Sequence, residues 1–264
     1  MLKMNRKRVN KRGQLTIFII IAIVIAVILL LYFFYDDIAI KIFPSTAQSN
    51  FQKCVQDDLD AVLEIISNQG GSIVPAHYTY YDNHPVEYLC YTNQYYTTCV
   101  NQQPMLKSHI ERELNTYLEP KLKACAETLK KNLQTQGYEV RGSDFDVNVE
   151  LVLNNIEINI DSDMTLAKEG EAVRFSQYGF SIRSSLYNLI MFTNSILNWE
   201  AQLGDSETTT YMGYYPNLRV EKFKQGDGTK IYTLTDRLTG DQFVFASRSL
   251  SWPPGYGYGK YITS

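Results

Sequence analysis

The sequence predicts an α+β protein in which an N-terminal transmembrane helix is followed by an ectodomain of helices packed on an antiparallel β-sheet. Three observations predict this. No charged side chain occurs from Leu15 to Tyr35, where Ile, Val, Leu, Phe and Ala fill most positions. Apolar residues then recur at spacings of three and four near 46–68, 105–134 and 184–203. Between them and after them, near 144–182 and 217–248, the apolar period falls to two.

The N-terminal elements come first. Residues 1–13 hold Lys3, Arg6, Lys7, Arg8, Lys11 and Arg12 and no acid. The apolar stretch within 14–35 spans roughly 30 Å as a helix, the thickness of a bilayer's hydrocarbon core. A helix satisfies its own backbone groups without water. Tyr32 and Tyr35 stand where an interfacial aromatic belt lies, and Asp36-Asp37 mark the exit. Cations before the span and aspartates after it predict a cytoplasmic segment 1–13 and an extracytoplasmic domain over 36–264. A cleaved secretory signal fits less well, because the run is long and ends in Tyr-Phe-Phe-Tyr-Asp-Asp rather than small residues.

Setting aside the six N-terminal cations leaves 19 basic against 28 acidic residues, about −9 for the ectodomain. That balance argues against nucleic acid, whose affinity comes largely from Lys and Arg on phosphate. All four cysteines, Cys54, Cys90, Cys99 and Cys125, lie beyond the span, so disulfides are expected. Three pairings are open, and local pattern favours Cys90–Cys99 across a hairpin turning at Gln94-Tyr95, with Cys54–Cys125 stapling two helices. Zinc is the competing use, but there is no Cys-x-x-Cys, and His77, His84 and His109 have no ligand spacing.

In the ectodomain, Phe51, Val55, Leu59, Val62 and Ile66 predict a helix over 46–68, with Pro44-Ser45 as start and Gly70-Gly71 as stop. Its Asp57, Asp58, Asp60 and Glu64 read as a solvated face. Residues 73–104 are dense in tyrosine and broken by prolines. Tyr78, Tyr80, Tyr81, Tyr88, Tyr91, Tyr95 and Tyr96 either form a binding platform for sugar or protein or pack across strands. The next helix, 105–134, carries Ile110, Leu114, Leu118, Leu122 and Cys125, with a kink or break expected at Glu119-Pro120.

Phe145, Val147, Val149, Leu151 and Leu153 then alternate with polar residues, and Asn154-Asn155 predicts a tight turn into Ile156, Ile158 and Ile160. Further strands are expected over 163–168 and 171–182. The helix over 184–203 places Leu186, Leu189, Ile190, Thr193, Ile196, Leu197 and Glu200 on one side. Ile190, Met191 and Phe192 widen its apolar surface, which packing on the sheet explains better than membrane contact. Strands near 217–224, 229–236 and 241–248 follow, and residues 252–264 read as a mobile tail.

Lys11-Arg12-Gly13-Gln14, followed at once by the apolar run, resembles the N-terminus of archaeal type IV pilin-like precursors. The resemblance implies cleavage at or near Gly13-Gln14 and packing of the helix in a filament core. Gln14 and Thr16 fit the pattern, whereas Phe18 stands where the family has Glu. The whole layout is similar to uncharacterised single-pass membrane-anchored proteins of small-genome archaea, through that start, Cys54 on a helix ending near Gln69-Gly70-Gly71, and a later Cys-bearing helix before a sheet. That group brings no activity with it.

No Gly-x-Ser-x-Gly, His-Glu-x-x-His, P-loop or Gly-x-Gly-x-x-Gly occurs, and Asp144 and Asp146 fall on one strand's polar face. The expectation is therefore a non-enzymatic interaction or structural protein of the cell envelope, with no cofactor and no metal. It is anchored in membrane lipid through residues 15–35 and contacts an envelope protein or glycan. The alternatives are a minor pilin-like filament subunit and an envelope hydrolase.

Overall fold

The structure, a computed structural model, describes residues 20–29, 52–142, 145–168, 171–174 and 176–251. The chain divides into two units, Met1–Ala47 and Gln48–Ser264. In the first, residues 20–29 are helical and their large apolar side chains, Ile20 to Leu29, are exposed. Among the described residues no helix is long and apolar enough to cross a membrane. The basic segment 1–13, the processing site Gly13-Gln14, most of 14–35, the helix start over 46–51 and the tail 252–264 lie outside the described residues.

The second unit begins with helix α1 over residues 52–68. Its Val55, Leu59, Val62 and Ile66 are fully buried, while Asp57, Asp60 and Glu64 face solvent. The helix ends where Gly70 and Gly71 take φ of +79° and +103°, and the Gly71 N–H donates to the Ile66 carbonyl. A Cβ on Gly70 would stand 2.9 Å from the Glu87 Cβ, and one on Gly71 would press on Ile110 and Leu106. The glycines thus let the helix end sit directly on its neighbours.

After strands β1 (Tyr78–Tyr81), β2 (His84–Tyr91) and β3 (Val100–Asn101), helix α2 runs over Leu106–Thr135. Of the kink or break expected at Glu119-Pro120, the break does not occur, and α2 continues through Pro120. Proline inside a helix costs about 3 kcal/mol. The stripe of Ile110, Leu114, Leu118, Leu122 and Cys125 is buried on both sides of it, and each large aliphatic contributes about 1.5–3 kcal/mol. Packing outweighs the lost hydrogen bond.

Next come β4 (Glu139–Arg141), β5 (Phe145–Val152), β6 (Asn155–Ser162), β7 (Thr165–Lys168), β8 (Glu171–Arg174) and β9 (Gln177–Arg183). They form two antiparallel sheets, β4-β7-β8 and β5-β6-β9, not one. The β5–β6 hairpin turns one residue earlier than expected. Val152 pairs with Asn155, so Leu153 and Asn154 form the loop, Asn154 at φ +64° and Leu153 exposed. Asparagine tolerates that left-handed conformation. At the free edge of β5, Asn115 and Glu111 of α2 accept the backbone N–H groups of Val149 and Leu151 at 2.9 Å each. The edge is covered by side chains chosen to satisfy it.

Helix α3 (Leu186–Leu203) buries the seven residues the sequence placed on one side, Glu200 included, and α4 (Thr208–Tyr214) follows. Helix α4 carries no periodic signal, since its seven residues bury only Thr208. Strands β10 (Leu218–Lys224), β11 (Thr229–Asp236) and β12 (Gln242–Arg248) complete the largest sheet, in the order β1-β2-β12-β11-β10 with β3 on β2. The β12–β2 pairing is parallel, a departure from the all-antiparallel expectation. Tight turns force antiparallel neighbours, but no turn links these two strands.

Cys54–Cys125 joins α1 to α2, and Cys90–Cys99 closes the β2–β3 loop, with Cα separations of 6.2 and 5.3 Å. The register differs from the one expected. Cys90 pairs with Asn101 and Tyr91 with Val100, so 92–99 is a loop and Cys99 precedes β3. That loop is held from outside the hairpin: Tyr96 N–H donates to the Leu250 carbonyl and Leu250 N–H to Thr97.

Candidate functional site

The period of two along β11 sends Tyr232 and Leu234 to one face of the large sheet and Ile231 and Thr233 to the other. The inner face joins the main core with α1, α2 and α3. The outer face carries a second apolar cluster of Val86, Tyr88, Ile231, Val244 and Ala246. Beside it lies an open groove of about 510 Å³, floored by Val86, Val244 and Thr233.

Each wall has a local cause. At one end, Tyr81 pairs with His84 across Asp82 and Asn83, whose φ values are +48° and +63°. Two consecutive positive-φ residues make the two-residue turn that suits a twisted hairpin, and it presents Asp82 and His84 to the groove. The Tyr81 and Phe223 rings lie 5.8 Å apart, and Phe223 is 53% exposed. Glu221, two residues back on β10, lines the same side and accepts from Arg219 at 2.7 Å. Opposite, Gln242 Nε2 donates to Asn68 Oδ1 at 2.7 Å, joining β12 to the end of α1. Lys222 also borders the groove, but its ammonium is bound by Asp205 at 2.9 Å and the Ser206 carbonyl at 2.7 Å.

The seven tyrosines, read from the sequence as either a binding platform or cross-strand packing, are spread over several places. Only Tyr81 lines the groove. Tyr78 and Tyr80 alternate away from it along β1, exposed, their rings 5.4 Å apart. Tyr95 and Tyr96 are exposed in the 92–99 loop. Tyr91 is half-buried under the Arg248 guanidinium, 5.7 Å from its ring. Tyr88 is buried, its hydroxyl 2.9 Å from Thr229 Oγ1, which removes it from any surface role.

Two buried polar networks lie outside the groove. Beneath the inner face, Glu200 is fully buried and accepts from Lys230 Nζ at 2.9 and 2.7 Å, from Ser247 Oγ at 3.0 Å and from the Tyr232 hydroxyl. The Lys230 ammonium also donates to the Gly204 carbonyl. Burial, then the adjacent Glu200, holds the Tyr232 hydroxyl well above the usual tyrosine range. With its acceptors filled on every side, this cluster is a closed tie between α3 and β11.

The second network centres on Ser72, just past Gly71. Its hydroxyl donates to Glu87 and lies 2.8 Å from His109 Nε2, while Glu113 accepts the Ile73 N–H at 3.0 Å. Burial raises the Glu87 carboxyl, opposed by the Ser72 bond and aided by Glu113. Burial lowers His109. Here serine bridges acid and histidine, whereas an activated nucleophile needs histidine in the middle, and Ser72 is only 4% exposed. The arrangement clamps the glycine turn between α1, β2 and α2.

Sequence reasoning missed most of the groove: Asn68, Asp82, His84, Glu221, Phe223 and Gln242. The Asp82-Asn83 pair between two β-prone runs was a readable turn signal. Phe223 and Gln242 share the successive β10–β11–β12 pairings, whereas Tyr81, His84 and Val86 join them only through the β12–β2 pairing, which the sequence does not state. Among the described residues no group of three or more His, Cys, Asp or Glu is placed to hold a metal ion. No protein-family model, curated protein or solved structure matches the chain.

Proposed function

We propose that the protein is a membrane-anchored, extracytoplasmic interaction module of the cell envelope, and that the outer groove of its large sheet is the contact surface. The observation that carries the reading is the groove itself, where an exposed aromatic ring stands over mixed polar side chains on a disulfide-stapled sheet. Open grooves of this size fall within the roughly 300–1,000 Å³ of small-ligand sites. The anchor draws support from the uncharged stretch Leu15–Tyr35 and from the helical, outward-facing apolar side chains of residues 20–29. Extracytoplasmic exposure draws support from the pairing of all four cysteines.

The test is topological. Full-length protein expressed in cells should sediment with membranes, and protease added outside intact cells should digest the domain beyond residue 36. Its thiols should resist alkylation until reduced. Recovery from the cytosolic pool with four alkylatable thiols would overturn the reading. Mass spectrometry of the same material reads the mature N-terminus: an intact 1–13 segment supports the anchor, and a chain beginning near Gln14 moves the protein to a pilin-like subunit.

One observation favours a second reading, an envelope glycan hydrolase: the carboxylates of Asp82 and Glu221 line the same groove. Intact recovery of an oligosaccharide after prolonged incubation disposes of it.

A further inference from the structure

We infer that the groove on the outer sheet face takes a neutral oligosaccharide, with a sugar ring laid against Phe223 and Tyr81. The inference rests on the interaction-module reading above and names the ligand class for its site.

Charge narrows the ligand first. The lining carries the carboxylates of Asp82 and Glu221, and its lysine is spent elsewhere, since the Lys222 ammonium is tied to Asp205 and the Ser206 carbonyl. A phosphate or uronate would meet like charge, with only the His84 ring in the lining to receive it. A basic peptide is little better served, because Glu221 already holds Arg219 at 2.7 Å. An uncharged ligand is the one these groups accept.

The polar groups then point to hydroxyls. The Gln242–Asn68 bond uses one N–H and one carbonyl lone pair, leaving further donors and acceptors on both amides. Thr233 adds a hydroxyl, and Asp82 and Glu221 add acceptors. A ligand whose every group both donates and accepts suits such a mixture, and a polyol is that ligand. A peptide side chain would need a deep apolar pocket as anchor. The apolar floor offers none, with Val86 and Val244 only 1% and 4% exposed.

The rings complete the argument. Phe223 leaves half its surface open on an edge strand, 5.8 Å from Tyr81, with no packing role in the main core. An aromatic face is negative and apolar, so the C–H face of a pyranose can cover it while its equatorial hydroxyls reach the surrounding amides and carboxylates. The lining reaches from the β1–β2 turn to Gln242 on β12 and Phe223 on β10, room for more than one sugar ring.

Calorimetric titration of the full-length protein, held in micelles of a zwitterionic detergent without a sugar headgroup, tests this. The probes are cellotetraose, mannotetraose and N-acetylated chitotetraose, with trigalacturonate as the acidic comparison. At least one neutral probe should bind with a Kd of about 10 μM to 1 mM, and trigalacturonate should not. Phe223→Ala and, separately, Gln242→Ala should each weaken binding about tenfold or more with thermal midpoints unchanged. Both side chains are exposed, so the fold survives either change. Binding that ignores both variants, binding of trigalacturonate alone, or silence from every neutral probe overturns the inference. Any of these leaves the anchored-module reading standing if the protein remains at the cell surface. Recovery from the cytosol removes that reading whatever sugars bind.

Discussion

The two faces of the large sheet are built by the same strands and do opposite things with polar groups. On the inner face, Tyr232 and Ser247 turn their hydroxyls to Glu200, and the carboxylate's partners are all protein atoms. On the outer face, one residue along β11, Thr233 looks into a groove whose amides and carboxylates keep free valences. A buried polar group must be satisfied within the fold or it destabilises it. A polar group beside open solvent is satisfied by water and can exchange that water for a ligand. The contrast separates a stabilising device from a recognition surface although both are polar clusters on neighbouring residues.

The largest effect of a single substitution should come from breaking the inner tie. Glu200→Ala takes the nearest carboxylate from the Lys230 ammonium, which is 6% exposed and keeps only the Gly204 carbonyl and Asp205 at 3.5 Å, and should lower unfolding free energy by about 3 kcal/mol. Replacing both partners with apolar residues, Glu200→Leu with Lys230→Met, should restore part of that loss by removing the unpaired charge, while the Tyr232 and Ser247 hydroxyls still lose their acceptor. Urea denaturation of the single and double variants checks this. A single variant as stable as the wild type would show that the inner cluster is as open to water as the outer groove.

How much of this contrast the sequence discloses depends on the range of the interaction. Alternation along β5 and β6, and the seven-residue stripe of α3 with Glu200 on it, were readable because a face is a local property of period. The stripe even marked Glu200 as inward without naming its partner. That partner, Lys230, lies thirty residues on, on a strand whose neighbour is fixed by tertiary packing. The tyrosines show the limit most clearly. Their density left a shared surface and cross-strand packing both open, and alternation along β1 and β2 with the burial of Tyr88 divides them between exposed and packed positions. Pro120 failed as a breaker because local propensity is worth less than a buried stripe that continues past it. The groove was illegible since Tyr81, Asp82 and His84 of the β1–β2 hairpin meet Phe223 and Gln242 only once β12 has paired in parallel with β2.

The disulfides sharpen the comparison through paired substitutions. Cys90–Cys99 ties β2, which serves both faces, across a separation of nine residues, whereas Cys54–Cys125 spans 71. Loop-closure entropy assigns about 4 kcal/mol to the longer bridge and about 3 kcal/mol to the shorter. The double variant Cys54→Ala with Cys125→Ala should therefore destabilise more, by denaturant midpoint. Cys90→Ala with Cys99→Ala should destabilise less but loosen the 92–99 loop, read as faster amide exchange at Tyr96 and Leu250. The reverse ranking would mean that the shorter bridge holds the sheet in a way loop length does not capture.

The smallest expected effect sits at the rim, where Asp205 meets Lys222 at 2.9 Å, Lys224 at 3.0 Å and Lys230 at 3.5 Å. Burial alone would raise its carboxyl, but these ammonium groups outweigh burial and hold it at about 2. Its folded value is below the unfolded one, so its stabilisation is complete above about pH 4 and is lost as pH falls through about 2. Asp205 is 42% exposed in its side chain, so solvent screening leaves at most about 1 kcal/mol at pH 7. Asp205→Asn should flatten the acid limb of the stability profile between about pH 4 and 2. On the outer face, Glu221→Gln removes a pair in which both partners are more than half exposed, and should change stability by no more than about 0.5 kcal/mol. If Glu221→Gln proved the more costly of the two, the outer carboxylate would be structural, and the division of labour between the faces would fail at the residue meant to define it.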